Sequence, residues 1–171
     1  PQAQRNFQAC GNAWAVSKVQ YAANADAEMA ALSNFDPKQT AIVPQGYASA
    51  LSGKTDFGSG SIKLTTYDPK FLEYSFEGGD AFVVFSEIYY QGSGNDWQAY
   101  IDGEAADHLR VNYLLRGLQV PSGKHTITFE FAPKSYYVGR KINFAGSAVL
   151  LLLLGWMGWK QRASTSDQAE A

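Results

Sequence analysis

The stretch Ile142 to Trp159, INFAGSAVLLLLLGWMGW, carries no charged side chain and runs through five consecutive leucines, Leu150 to Leu154. At about 1.5 Å of rise per residue, such a run forms a helix about 27 Å long, close to the ~30 Å hydrocarbon core of a bilayer. A helix lying on a soluble core keeps a polar stripe towards water. Here only Asn143 and Ser147, both near one end, bear polar groups before the indoles. Arg140 and Lys141 precede the run, and Lys160 and Arg162 follow it, placed to reach headgroups. Tyr136 and Tyr137 before one end and Trp156 and Trp159 at the other suit the interfacial belts. A buried core helix is the alternative, and the length and missing charges weigh against it. The expectation is one transmembrane helix with interfacial flanks over residues 136–160, followed by a polar tail over 161–171.

Residues 1–135 are enough for one domain with a sizeable core. The net charge of −2, without a Lys/Arg block, an RNA-binding signature or zinc-finger spacing, argues against a nucleic-acid partner. Cys10 is the only cysteine, so no disulfide can form within the chain. The chain begins Pro1-Gln2-Ala3, without an initiator methionine or a signal segment, and reads as a fragment of a longer protein.

Ala13 to Tyr21 reads as a strand, followed by a short helix over about 25–34. Asn24 caps that helix, Asp26 and Glu28 sit where its dipole favours acids, and Ala25, Met29 and Leu32 share one face. Thr40 to Val43 is a brief apolar strand. Gln45 to Ser61 is a Gly- and Ser-rich loop anchored by Tyr47 and Leu51. From Ser61 the pattern is β: Ile62, Leu64 and Thr66 alternate with polar neighbours, Asp68-Pro69 turns, and Leu72, Tyr74 and Phe76 alternate again. Ala81 to Tyr90 is apolar on both faces for its first half, as expected of a central strand covered on both sides. Trp97, Ala99 and Ile101 alternate up to the turn dipeptide Asp102-Gly103. Leu109 to Val120 supplies one long or two short strands, and Ile127, Phe129 and Phe131 alternate in the last one. The expected fold is mainly β: an antiparallel β-sandwich or jelly roll with one short helix, followed by the single transmembrane helix.

The sequence carries little catalytic signal. His108 and His125 belong to no metal motif, and there is no phosphate loop, no GxSxG elbow and no cysteine with a plausible base. No metal and no cofactor are expected; Glu87, Asp96, Asp102 and Glu104 include the two carboxylates that glycoside hydrolysis would need, but acids beside turns read as solvated. The denser signal combines aromatic and polar groups: Glu87, Tyr89, Tyr90, Trp97, Tyr100, Arg110, Asn112, Tyr113 and Arg116. Flat rings beside bidentate donors suit a glycan or a phosphate. Arg110, Asn112 and Arg116 share parity, as do Glu87 and Tyr89, so each set lines one face if the strand is unbroken. The competing reading puts the rings in a sandwich core and pairs the arginines with acids such as Glu87.

The segments GNAW (Gly11 to Trp14), FDPKQTAIV (Phe35 to Val43), FSEIYY (Phe85 to Tyr90), WQAYIDG (Trp97 to Gly103) and HLRVNYLLRGLQVPSGKHTITFEF (His108 to Phe131) together resemble the C-terminal part of the YfhO-type bacterial membrane proteins. That family is described as polytopic and similar to the GT-C class of glycosyltransferases, which use a lipid-phosphate-linked sugar and carry the catalytic acid in a loop near the N-terminus. The resemblance implies a non-catalytic, extracytoplasmic β-domain followed by the final membrane helix, in the bacterial cytoplasmic membrane, with a cytoplasmic tail from Lys160. The implied partners are the lipid bilayer, upstream transmembrane helices of the same parent protein or a membrane complex, and a glycan or lipid-linked sugar. A purely structural module packing on those helices is the alternative.

Overall fold

The computed structural model describes residue 6, residues 9–90 and residues 96–169, with side chains as far as residue 157. Its strands are β1 (Ala13–Val16), β2 (Lys18–Ala22), β3 (Thr40–Pro44), β4 (Gly60–Asp68), β5 (Phe71–Gly78), β6 (Ala81–Ile88), β7 (Trp97–Ile101), β8 (Glu104–Ala106), β9 (Leu109–Val111), β10 (Leu115–Val120) and β11 (Gly123–Phe131). Helix α1 spans Ala25–Leu32 and helix α2 spans Lys134–Ala169. The chain divides into two units, residues 1–132 and residues 133–171.

Within the first unit, two antiparallel sheets of order β1-β6-β10-β9 and β4-β5-β11-β7-β8 form the sandwich. The alternation in β6 explains its place. Ala81, Val83 and Phe85 face one cluster with Leu72, Tyr74 and Phe76 of β5, Ala99 of β7, and Ile127 and Phe129 of β11. Phe82 and Val84 point the other way, into a second cluster with Val16, Val19, Ala41, Val43 and Leu51. The strand is therefore apolar on both faces because a third layer covers its back. That layer is the two-stranded pair β2-β3, which is parallel, with α1 in the crossover between the strands.

The segment read as a single strand over Ala13 to Tyr21 is two strands bent apart at Ser17. β1 pairs with β6 in one sheet and β2 with β3 in another. The N–H groups of both Ser17 and Lys18 donate to Gln39 O, which holds the bend. Helix α1 starts where the sequence places it, with Asn24 Oδ1 accepting from Ala27 N–H at 2.9 Å. Leu51 is buried, and Tyr47 packs on the second cluster through two short 3₁₀ turns. Asp102 and Gly103 take φ of 53° and 85° in the β7-β8 hairpin, the doubly positive geometry that an Asp-Gly turn favours. Gly117 in β10 permits a close approach: a Cβ there would stand 2.6 Å from the Phe82 ring and 2.7 Å from Val111 Cγ1.

In the second unit, α2 holds a stretch, Lys134–Met157, long and apolar enough to cross a membrane. None of that stretch is buried. Leu150, Leu151, Leu152, Leu153 and Leu154 are all exposed, although they point around the whole helix circumference. Ser147 Oγ donates to Asn143 O at 2.9 Å, so this hydroxyl needs no water.

Candidate functional site

Seven of the nine aromatic and polar residues singled out from sequence fall into two places, and a third candidate place lies apart from them. In the first, the β9-β10 hairpin turns through Asn112 and Tyr113, whose φ values are 48° and 71°. The stretch Leu109 to Val120 is thus two strands, and Asn112 leaves the face that an unbroken strand would have given it. It serves as a bridge instead. Its N–H donates to Ile42 O and its Oδ1 accepts from Ile42 N–H, both at 2.8 Å, tying the turn to β3. The rare left-handed geometry at Tyr113 is held by Glu28 of α1, whose Oε1 accepts the Tyr113 N–H at 2.7 Å. Arg110 completes the clamp. Its Nη1 and Nη2 donate to Glu28 Oε1 and Oε2 at 3.2 and 2.9 Å, and Nη1 also donates to Tyr113 O at 2.6 Å. The guanidinium lies 5.5 Å from the Tyr113 ring centre. Glu28 is 1% exposed, so this fork is an internal tie between α1 and the hairpin.

In the second place, Arg116 of β10 is 2% exposed. Its Nε donates to Ile88 O at 3.0 Å, and its guanidinium sits 4.2 Å above the Trp97 ring and 5.4 Å from that of Phe129. Burial lowers its pKa, against the fields of Glu87 and Tyr74, which favour the charge. His108, missed as a site residue, stands beside it, with its ring edge-on to Tyr89 at 5.3 Å and to Phe129 at 5.6 Å. Burial, and then the Arg116 charge, push the imidazole down to about 4, although Asp107 opposes this, so His108 is neutral at pH 7. Tyr74 is pushed up to about 12, by burial first and by Glu87 second. Arg116 Nη1 and His108 Nε2 are buried without a hydrogen-bond partner among the described residues.

The structure thus gathers Arg116, Trp97, Glu87 and Tyr89 near one another, and Arg110, Asn112 and Tyr113 around Glu28. Tyr100 belongs to neither group. It lies on the face of β7 opposite Trp97 and Ala99, and its hydroxyl donates to Gln98 Oε1 at 2.6 Å. Tyr90 is exposed. Glu28 gave a signal in the sequence only as a first-turn acid, and His108 only as a polar neighbour of Asp107, because the partners of both are brought in by the tertiary fold.

The third place is an open groove of about 420 Å³ on the five-stranded sheet, lined by Lys63, Ser75, Glu77, Lys124, Thr126 and the pair Asp102–His125 among others. His125 Nδ1 and Asp102 Oδ2 are 2.6 Å apart, and Thr126 N–H donates to Asp102 Oδ1 at 2.8 Å. The hydrogen bond between them raises the His125 pKa and lowers that of Asp102. Together these contacts lock the β7-β8 turn onto β11. No group of three or more His, Cys, Asp or Glu side chains that could hold a metal ion occurs among the described residues.

Of the membrane-interface residues, Tyr136, Tyr137, Arg140, Lys141 and Trp156 are exposed on α2, with the two tyrosine rings 5.5 Å apart. The side chains of Trp159 and Lys160 lie outside those described. Comparison with protein families, curated proteins and solved structures finds no match to this chain.

Proposed function

We propose that this chain is a membrane-anchored, non-catalytic β-sandwich module. It stands at the outer face of a bacterial cytoplasmic membrane and forms the C-terminal part of a polytopic, glycosyltransferase-like protein of the YfhO type. One observation carries the anchor: α2 follows the last strand after two residues and exposes leucines around its whole circumference. The resemblance of the segments from Gly11 to Phe131 supplies the family, and with it upstream membrane helices or a membrane complex as packing partners.

Within that role the geometry favours support over ligand capture. The Arg110 fork is occupied by Glu28, and Arg116 is buried against Trp97, so neither guanidinium is presented to a glycan. A second reading, binding of a cell-envelope glycan or lipid-linked sugar, is favoured by the groove, where hydroxyl, amine and carboxylate groups stand side by side. The anchored reading is tested in intact cells with single cysteines at Ser59 and Ser164 in a Cys10→Ser chain. An impermeant thiol reagent should label the Ser59 position and spare the Ser164 position. The reverse pattern would end the assignment of sides.

A further inference from the structure

Large apolar side chains are seldom left in water without a reason when they are contiguous. Among the described residues of the sandwich unit, six such side chains are exposed: Met29, Tyr67, Ile88, Tyr90, Tyr113 and Leu114. Four of them form one patch. Leu115 pairs with Ile88 in register, and Tyr89 N–H donates to Leu114 O at 2.6 Å, which sets Ile88 and Tyr90 beside Tyr113 and Leu114. Their exposures are 64, 56, 38 and 54% in the order Ile88, Tyr90, Tyr113 and Leu114. Neither Ile88-Tyr89-Tyr90 nor Asn112-Tyr113-Leu114 contains an acid, and Arg110 beside them is neutralised by Glu28.

The position of the patch indicates what covers it. β6 ends at Ile88, β7 begins at Trp97, and Arg116 joins these two points by donating to Ile88 O while lying on the Trp97 ring. β11 finishes at the same end, with Phe131 opposite Trp97 and Ala132 N–H donating to Asp96 O at 2.7 Å. Ala132 is the last residue of the sandwich unit, and the candidate span starts at Lys134. The apolar patch therefore occupies the end of the sandwich from which the chain leaves for its membrane helix. Tyrosine and aliphatic side chains around a neutralised charge are the composition that settles at the boundary of headgroups and acyl chains.

We propose that this end of the sandwich docks on the bilayer surface, with Ile88, Tyr90, Tyr113 and Leu114 entering the headgroup and upper acyl region. The proposal rests on the anchored reading above and adds a second lipid contact to it. The test uses the full chain with Cys10→Ser, inserted in phosphatidylcholine and phosphatidylglycerol vesicles. Single cysteines at Ile88, Leu114 and Ser122 carry an environment-sensitive fluorophore. Ser122 is an exposed control at the opposite end, beyond the Val120–Ala81 pair. The expected result is blue-shifted emission at the Ile88 and Leu114 positions, quenched by lipids spin-labelled at shallow depth, with an aqueous, unquenched spectrum at Ser122. Aqueous spectra at all three positions in a stably inserted chain would overturn the docking and leave the anchor standing. Apolar but unquenched spectra would assign the patch to a protein partner and also overturn it. A chain that does not stay with the vesicles would remove both readings.

Discussion

Arg110 and Glu28 meet in a two-point fork, 3.2 and 2.9 Å long, that joins a β-hairpin to a helix 82 residues earlier in the chain. The two ends are unequal, since the Glu28 side chain is 1% exposed and that of Arg110 29%. Removing the arginine therefore strands a carboxylate in the interior, whereas removing the acid leaves a cation with access to water.

Arg110→Met should accordingly destabilise the protein by about 3 to 5 kcal/mol. Glu28→Gln should cost about 1 to 3 kcal/mol, because the amide oxygen still accepts from Tyr113 N–H. The double variant should cost less than the sum of the two. Denaturant melts of all four proteins check this. Additive costs would show that the fork does not couple the hairpin to the helix.

How much of this was legible in the sequence depends on how locally each feature is encoded. The double-sided burial of β6 and the Asp102-Gly103 turn follow from neighbouring residues alone, and both are found. The break at Ser17 was not legible, because β-forming residues stand on both sides of Ser17 and Lys18 and the bend is imposed by Gln39. Parity placed Arg110 and Arg116 on one face of an unbroken strand; the strand breaks between them, and they meet instead as register partners across the β9-β10 hairpin. Parity could not choose their companions. Arg110 takes Glu28 rather than Glu87, and Arg116 takes a backbone carbonyl and two rings. Asn112 was misplaced for a related reason: parity assumes a continuous strand, and a left-handed pair of residues ends β9 at Val111.

His108 should make the protein sensitive to mild acid. Its folded-state pKa of about 4 lies below the ordinary value of 6.5. Between those values the unfolded chain binds a proton that the folded chain refuses. The contribution is fully present above pH 6.5 and is lost as the pH falls towards 4. The loss amounts to at most about 3 kcal/mol, reduced by solvent screening at the partly exposed edge of the ring. His108→Phe keeps the ring contacts with Tyr89 and Phe129 and removes the titration. The stability of the wild type relative to this variant should fall between pH 6.5 and 4 and be flat above. His125, whose pKa is raised, works in the opposite direction, its contribution fading as the pH rises through its folded value, and it cancels because both proteins contain it. A constant difference across the range would mean that His108 titrates as it does in water.

The central claim is that Lys134–Met157 is a membrane span and that the sandwich is tethered to the bilayer by it. Flotation of the full chain with phosphatidylcholine and phosphatidylglycerol vesicles, after washes in high salt and then alkaline carbonate, tests it most directly. High salt removes proteins held by surface charge, and carbonate removes those held by other proteins, but neither extracts a helix with leucines buried in hydrocarbon. The account predicts that the chain stays in the floating fraction through both washes. Release into the aqueous fraction by either wash would contradict it.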